Sequence, residues 1–283
     1  MSWPQNLNVH EFDEQSSGVS LPVRLFVSIY PEQSAQRRLE LQACLEKNQE
    51  SQLFDNVCLL VEGAAELTVS TNRVERRRFS ERPTYRDYFQ WANECLSSDD
   101  DYSVIANSDL YFDDTLLPLV RCLKLGQCAA LSRWDVQADG SARLFDRNDS
   151  QDVWIFKGKI RPVVSDYLMG VPRCDNRLLY ELRRAGYEVI NPSFSVRAFH
   201  RHAGERMEYP GQIEGPYVEG PYEYLWPHNL MSLPQTFLHN RQNPDSKLGW
   251  RIDWRRLQRT LPWRVFNKIK RRWGWGEERG AKS

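Results

Sequence analysis

The stretch that most limits what this chain can fold into runs from Tyr102 to Asp114, Tyr-Ser-Val-Ile-Ala-Asn-Ser-Asp-Leu-Tyr-Phe-Asp-Asp. Tyr102 to Ala106 is a short β-branched and apolar run, the pattern of a buried strand. It ends in Asn107-Ser108-Asp109, three short oxygen-bearing side chains. In open α/β sheets, ligands sit outside the carboxyl ends of strands. An Asn-x-Asp there, with Asp113 and Asp114 close behind, offers oxygen ligands to a hard divalent cation. A cation with open positions can bridge substrate phosphates. The same residues also read as a turn at Asn107-Ser108 and a helix cap at Asp113-Asp114.

The 283 residues fit one large domain or two small ones and can bury a real core. Lys plus Arg equals Asp plus Glu, 38 each, so bulk charge predicts no polyanion partner and no nucleic acid. None of the six cysteines (44, 58, 95, 122, 128 and 174) forms a Cys-x-x-Cys pair. Several lie in apolar runs, which argues for reduced, buried thiols in a cytoplasmic protein rather than a zinc site or a disulfide frame. Residues 1 to 21 are polar and acidic, a flexible arm without a signal-type apolar stretch. No run approaches the ~20 apolar residues of a membrane span.

Strand, helix, strand opens the chain: Arg24 to Tyr30, Gln33 to Gln52 and Val57 to Val61, the last followed by Glu62. That order predicts a parallel sheet built by right-handed crossover. Glu66 to Arg82 is polar and basic, and Arg73 to Arg78 reads as solvated surface. Thr84 caps a helix, with Asp87 three residues on as a shortened capping box. Arg82 and Arg86 stand at its entry, where a diphosphate would need guanidinium forks. Thr115 to Leu125 is the next expected helix and Cys128 to Trp134 the next strand. Ser150 to Phe156 alternates and places Asp152, Trp154 and Phe156 on one face. An Asp beside a Trp can hold a sugar; a half-buried edge strand has the same pattern.

Asp175 opens a helix over Arg177 to Ala185, and serves either as its cap or as a general base at a cleft. Tyr187 to Ile190 and Ser193 to Phe199 are expected strands. The second ends in His200-Arg201-His202, two imidazoles on one face. Ala203 to Leu233 fits no regular element, and a loop of that length is usually functional or mobile. From Trp250 on, the chain is basic and dense in tryptophan. Leu261 to Arg272 can form a basic amphipathic helix, suited to an anionic membrane surface or to a protein partner.

Ala106 to Phe112, Ser150 to Trp154, Gly170 to Asn176 and Phe199 to His202 occur in that order, after the strand Leu25 to Tyr30. Together they resemble a bacterial glycosyltransferase domain of the GT-A type over roughly Val23 to His202. The resemblance implies an α/β, Rossmann-like, mixed and mostly parallel sheet flanked by helices, here with a basic C-terminal extension. It implies a nucleotide-diphospho-sugar donor, a divalent metal (Mn or Mg) and a glycan or lipid-linked acceptor, with a place in surface polysaccharide synthesis at the inner face of a membrane. The Asp-x-Asp of such enzymes falls on Asn107-Ser108-Asp109, with Asn in place of the first acid. The resemblance gives Asp109 the metal, with His200 or His202 completing its shell. It gives Asp175 the base role, Asp152 a sugar contact, and Glu62 the nucleotide base or ribose. The expected organisation is an arm over 1 to 21, the transferase domain over 22 to 235 and the basic tail over 236 to 283. Two rival classes share this sheet. One is a nucleotidyltransferase, which would carry a Gly-rich loop where Tyr30 to Gln33 has none. The other is a binding protein that kept the fold without the chemistry.

Overall fold

A computed structural model describes residues 22–68, 72–201 and 217–259. The arm, His202, residues 203–216 and the expected helix over Leu261 to Arg272 lie outside them. In chain order the elements are β1 (Val23–Ile29), α1 (Ala35–Glu50), β2 (Asn56–Glu62), β3 (Val74–Phe79), α2 (Tyr85–Cys95), β4 (Tyr102–Ala106), β5 (Leu110–Phe112) and α3 (Leu116–Cys122). There follow β6 (Gln127–Leu131), β7 (Trp134–Val136), β8 (Ala142–Leu144), β9 (Val153–Lys157), α4 (Cys174–Arg184), β10 (Glu188–Ile190), β11 (Ala198–His200), α5 (Leu233–Gln242) and α6 (Trp254–Arg259).

Seven strands form the central sheet in the order β10-β6-β9-β4-β1-β2-β3. All neighbours pair in parallel except β9, which runs antiparallel to both β4 and β6. The expected Rossmann-like, mostly parallel α/β fold is therefore the one the chain adopts. Period-2 alternation sends successive residues to opposite faces. Leu25, Leu59, Val104 and Ile155 enter one apolar layer with Leu45 of α1 and Leu119 of α3. Phe26, Leu60, Ile105 and Trp154 enter the other, under Tyr88 and Trp91 of α2 and Leu178 and Leu182 of α4. Strands buried on both faces need continuous apolar runs, which is why β2 and β4 carry them.

β1 leads to β2 on one side, and the chain later returns to β4 on the other. The carboxyl ends of β1 and β4 are thus a topological switch point, the usual crevice for a ligand. Because β9 runs the opposite way, its amino end lies at that same edge, and Asn107 N–H donates to the Asp152 carbonyl (3.2 Å).

A second sheet, β5-β11-β7-β8, sits beside that edge. Its register pairs His200 with Leu110 on one side and with Asp135 on the other. Past Leu230, the chain stays in contact with the core: Leu248 is buried in the first apolar layer, and Thr236 and His239 of α5 are buried too. No helix among the described residues is long and apolar enough to cross a membrane.

The structure moves several expected elements. The basic Arg76 to Arg78 stretch, expected as solvated surface, is exposed and lies in an edge strand, β3. Ser193 to Arg197 precedes the strand expected there, and only Ala198–His200 pairs. Trp154 is fully buried against the ring of Tyr85 (6.5 Å), so it stabilises the core and cannot touch a sugar.

Candidate functional site

At the switch point the strand ends bring seven charged side chains and one amide into a single network. Asn107 donates its amide to Asp152 Oδ1 (3.0 Å). Arg133, just beyond β6 and buried, donates to Asp152 Oδ2 (3.0 Å) and through Nε to Asp135 Oδ1 (2.9 Å). His200 Nδ1 meets the same Asp135 oxygen (2.8 Å), and its Nε2 meets Asp109 Oδ2 (3.1 Å). Arg37, from the first turns of α1, forms an ion pair with that same oxygen of Asp109 and another with buried Glu40 (2.9 Å). The second sheet makes this closure possible: Asp109 precedes β5 directly, while β11 and β7 set His200 beside Asp135.

The electrostatics follow from these contacts. Burial raises the Asp109 carboxyl, but the hydrogen bond and charge of His200 and the charge of Arg37 outweigh it and hold it well below the usual range. Burial would lower His200, yet hydrogen bonds to Asp109 and Asp135 push it up to about 9. The imidazole is therefore protonated at neutral pH, and both ring nitrogens donate.

Asp175 is the exception. It lies in the first turn of α4, where Gln151 N–H donates to Oδ2 (3.0 Å) and Asn176 N–H to Oδ1 (2.9 Å). Among the described residues no cation pairs with it. Burial and the neighbouring carboxylate of Asp152 outweigh those amides and push it up to about 7. The residue two positions earlier, Arg173, holds a left-handed backbone (φ 67°) at the helix N-cap. Such conformations cost about 1–3 kcal/mol and gather at functional sites.

The other expected site residues are more scattered. Glu62 ends β2, just before the Ala64–Leu67 segment. That segment, with Tyr30, Pro31, Arg38 and Leu41, lines a cleft of about 190 Å³ at the carboxyl ends of β1 and β2. Arg82 donates to the Met169 carbonyl (2.7 Å), over the loop leading to α4. Arg86 is exposed and paired with Asp166. Asp113 accepts from the Thr115 backbone (3.1 Å) and pairs with Arg197, while the N-cap of α3 is Thr115 rather than Asp113 or Asp114. Sequence reasoning missed Arg37, Arg133 and Asp135. Nothing local marks Arg37 apart from its neighbour Arg38 on a polar helix. Arg133-Trp134-Asp135 did carry a signal, charged residues at the end of an apolar strand. The Nη2 of Arg133 is buried without a hydrogen-bond partner among the described residues, a donor left over beside Asp152.

The residues expected to hold a metal at Asp109 are engaged with other partners: its Oδ2 takes both Arg37 and His200, and the other ring nitrogen of His200 faces Asp135. Asn107 points its amide, not a carboxylate, into the network.

No family model matches the sequence, and no curated protein matches it. Among solved structures it is similar to a mannosyltransferase from Pyrobaculum calidifontis in complex with GDP-Man and Mn2+, with a TM-score of 0.41 and 13% identity over 65% of this chain and 58% of that one. The chain thus spans under two thirds of that protein's length. It is also similar to 2-C-methyl-D-erythritol 4-phosphate cytidylyltransferase from Francisella tularensis (TM-score 0.33, 10% identity, 48% of this chain, 72% of that one). A 4-diphosphocytidyl-2C-methyl-D-erythritolsynthase from Anaerococcus prevotii gives a TM-score of 0.30 and 9% identity, over 48% of this chain and 70% of that one. These partial overlaps carry no assignment of function.

Proposed function

We propose that this chain is a glycosyltransferase that moves a sugar from a nucleotide-diphosphate donor to a hydroxyl of a glycan or lipid-linked acceptor, in surface polysaccharide synthesis. The observation that carries this reading is the pair Asp152 and Asp175. Two carboxylates at one strand-end crevice stand in unlike settings, one ion-paired with Arg133 and the other pushed up to about 7 with no cation beside it among the described residues. A raised carboxyl at a strand-end crevice is suited to the role of a base.

In this reading Asp175 takes the proton of the acceptor hydroxyl as its oxygen attacks the anomeric carbon. The bond from that carbon to the diphosphate oxygen breaks, and the diphosphate leaves with the electron pair. A single displacement of this kind inverts the anomeric centre. Asp152, fixed by Asn107 and Arg133, orients a sugar hydroxyl. The cleft at the ends of β1 and β2 takes the nucleotide's ring. It is smaller than the roughly 300–1,000 Å³ of whole-ligand pockets, so the sugar and diphosphate lie along the open strand ends toward β4. No step is routed through a metal. Arg37 at the start of α1 and Arg82 at the loop before α4 are the cations that meet the leaving group's charge.

The test is a calorimetric titration of nucleotides and nucleotide sugars against wild type and Asp175→Asn, followed by transfer assays. One nucleotide diphosphate bound equally by both proteins, with transfer lost in the variant, supports the reading and names the donor base. Folded protein that binds no nucleotide overturns it.

A further inference from the structure

Away from the strand-end crevice, β2, β3 and α2 bring two thiols and a carboxylate together. Cys58 and Glu75 are direct partners in the parallel ladder of β2 and β3, so they project to one face of the sheet. Cys95 is the last residue of α2, the helix packed on that face, and it lies against the same apolar cluster as Cys58. One ligand atom from each of the three residues falls within 4.8 Å of the other two. The cluster sits near the amino half of β2. It is about 13 Å along the strand from Glu62, at roughly 3.3 Å per residue.

We propose that Cys58, Glu75 and Cys95 hold a thiophilic divalent cation of the zinc class. Thiolate ligands select such ions over magnesium or calcium. Around a tetrahedral ion with bonds of about 2.3 Å to sulfur, two sulfurs stand about 3.8 Å apart. Closing from within 4.8 Å asks for a shift of an ångström or less, which a helix-end cysteine and an edge-strand glutamate can supply. Asn56 donates its amide to Glu75 Oε1 (2.8 Å), the kind of outer contact that orients a ligating carboxylate. The nearby guanidinium groups are engaged elsewhere: Arg24 with Asp101 (2.9 Å) and Arg77 with Glu94. Glu75 is exposed, so a fourth position falls to water.

The ion has a mechanical use here. β3 is an edge strand with Glu75, Arg76, Arg77 and Arg78 all exposed, and it buries little apolar surface. A cation shared by β2, β3 and α2 would fasten that strand to the helix. Spacing arguments miss the site because each ligand comes from a different element. This inference is independent of the transfer chemistry proposed above.

The experiment uses the full chain, reduced and stripped of metal, titrated with Co2+ and then with Zn2+. The expected result is a thiolate-to-cobalt charge-transfer band that saturates at one ion per chain and is displaced by zinc. Cys95→Ser abolishes the band, and Glu75→Gln weakens binding at least tenfold. Cys58 is fully buried and its replacement risks the fold, so the partly exposed Cys95 and the exposed Glu75 carry the test. Zinc raises the melting temperature of wild type and leaves Cys95→Ser unmoved. Folded, reduced protein that gives no thiolate band overturns the proposal, as does a band that survives Cys95→Ser. Cobalt bound at an oxygen site elsewhere gives no such band and counts as the first of these.

Discussion

Replacing Asp175 with asparagine removes one ionisable carboxyl at almost constant volume, and the structure sets the size and sign of the effect. The carboxyl rises from its ordinary value of 3.8 to about 7 on folding. At about 1.4 kcal/mol per pH unit, that gives a ceiling of roughly 4 kcal/mol. Asp175 is only half-buried, so solvent screening brings the expected effect to about 2 kcal/mol. A raised carboxyl means that the folded state holds its proton more tightly than the unfolded chain. Wild-type stability therefore falls as pH climbs from about 4 to about 7, and stays level above that. Asp175→Asn lacks this dependence. Against the gain, both carboxylate oxygens accept backbone N–H groups (3.0 and 2.9 Å), and an amide can accept only one, at a cost of about 1 kcal/mol. The prediction is thus a difference between two conditions. From about pH 5 to about pH 8, which covers about two thirds of the shift, the variant gains about 1 kcal/mol relative to wild type, read from urea unfolding with unchanged slopes. The same base role requires wild-type transfer to rise with pH and level off above about 7. An unfolding difference that is identical at both pH values would refute the reasoning, whatever happened to activity.

Four further outcomes follow from the structure. Arg37→Ala leaves Glu40 buried and Asp109 with one cation fewer, and is expected to destabilise by about 3–5 kcal/mol in urea unfolding. Chelation of divalent ions should leave nucleotide binding unchanged in calorimetry; metal-dependent binding that vanishes in Asp109→Ala would return a cation to that carboxylate. Trp154→Ala should cost about 3–5 kcal/mol by opening the core, with nucleotide-sugar affinity of the folded fraction unaltered. Gly158→Ala forces a side chain into φ +64°, with its Cβ 3.1 Å from the Asp99 carbonyl and 2.7 Å from Leu125, and should lower thermal stability by about 1–3 kcal/mol.

What could be read from sequence, and what could not, divides along a physical line. β1, β2 and β4 were legible because a strand buried on both faces must be apolar throughout, and few other segments can be. Thr84 and Asp87 announced α2 because a capping box is local; Thr84 N–H does donate to the Asp87 carboxylate (2.7 Å). β3 was hidden for the converse reason. Its side chains are exposed on an edge, so only the backbone ladder to β2 makes Arg76 to Arg78 a strand, and a ladder leaves no mark in composition. The site shows the same division. The type and order of Asn107, Asp109, Asp152 and His200 pointed to one crevice, and the structure brings those four into one network. The identity of the cation that Asp109 would meet was not legible. It depends on Arg37 arriving from α1, 72 positions earlier, and on a short second sheet that turns His200 toward both Asp109 and Asp135. An acidic motif states how much negative charge a crevice holds. Whether a metal ion or a guanidinium balances it is decided by which distant element the fold lays across the strand ends, and here that element is α1.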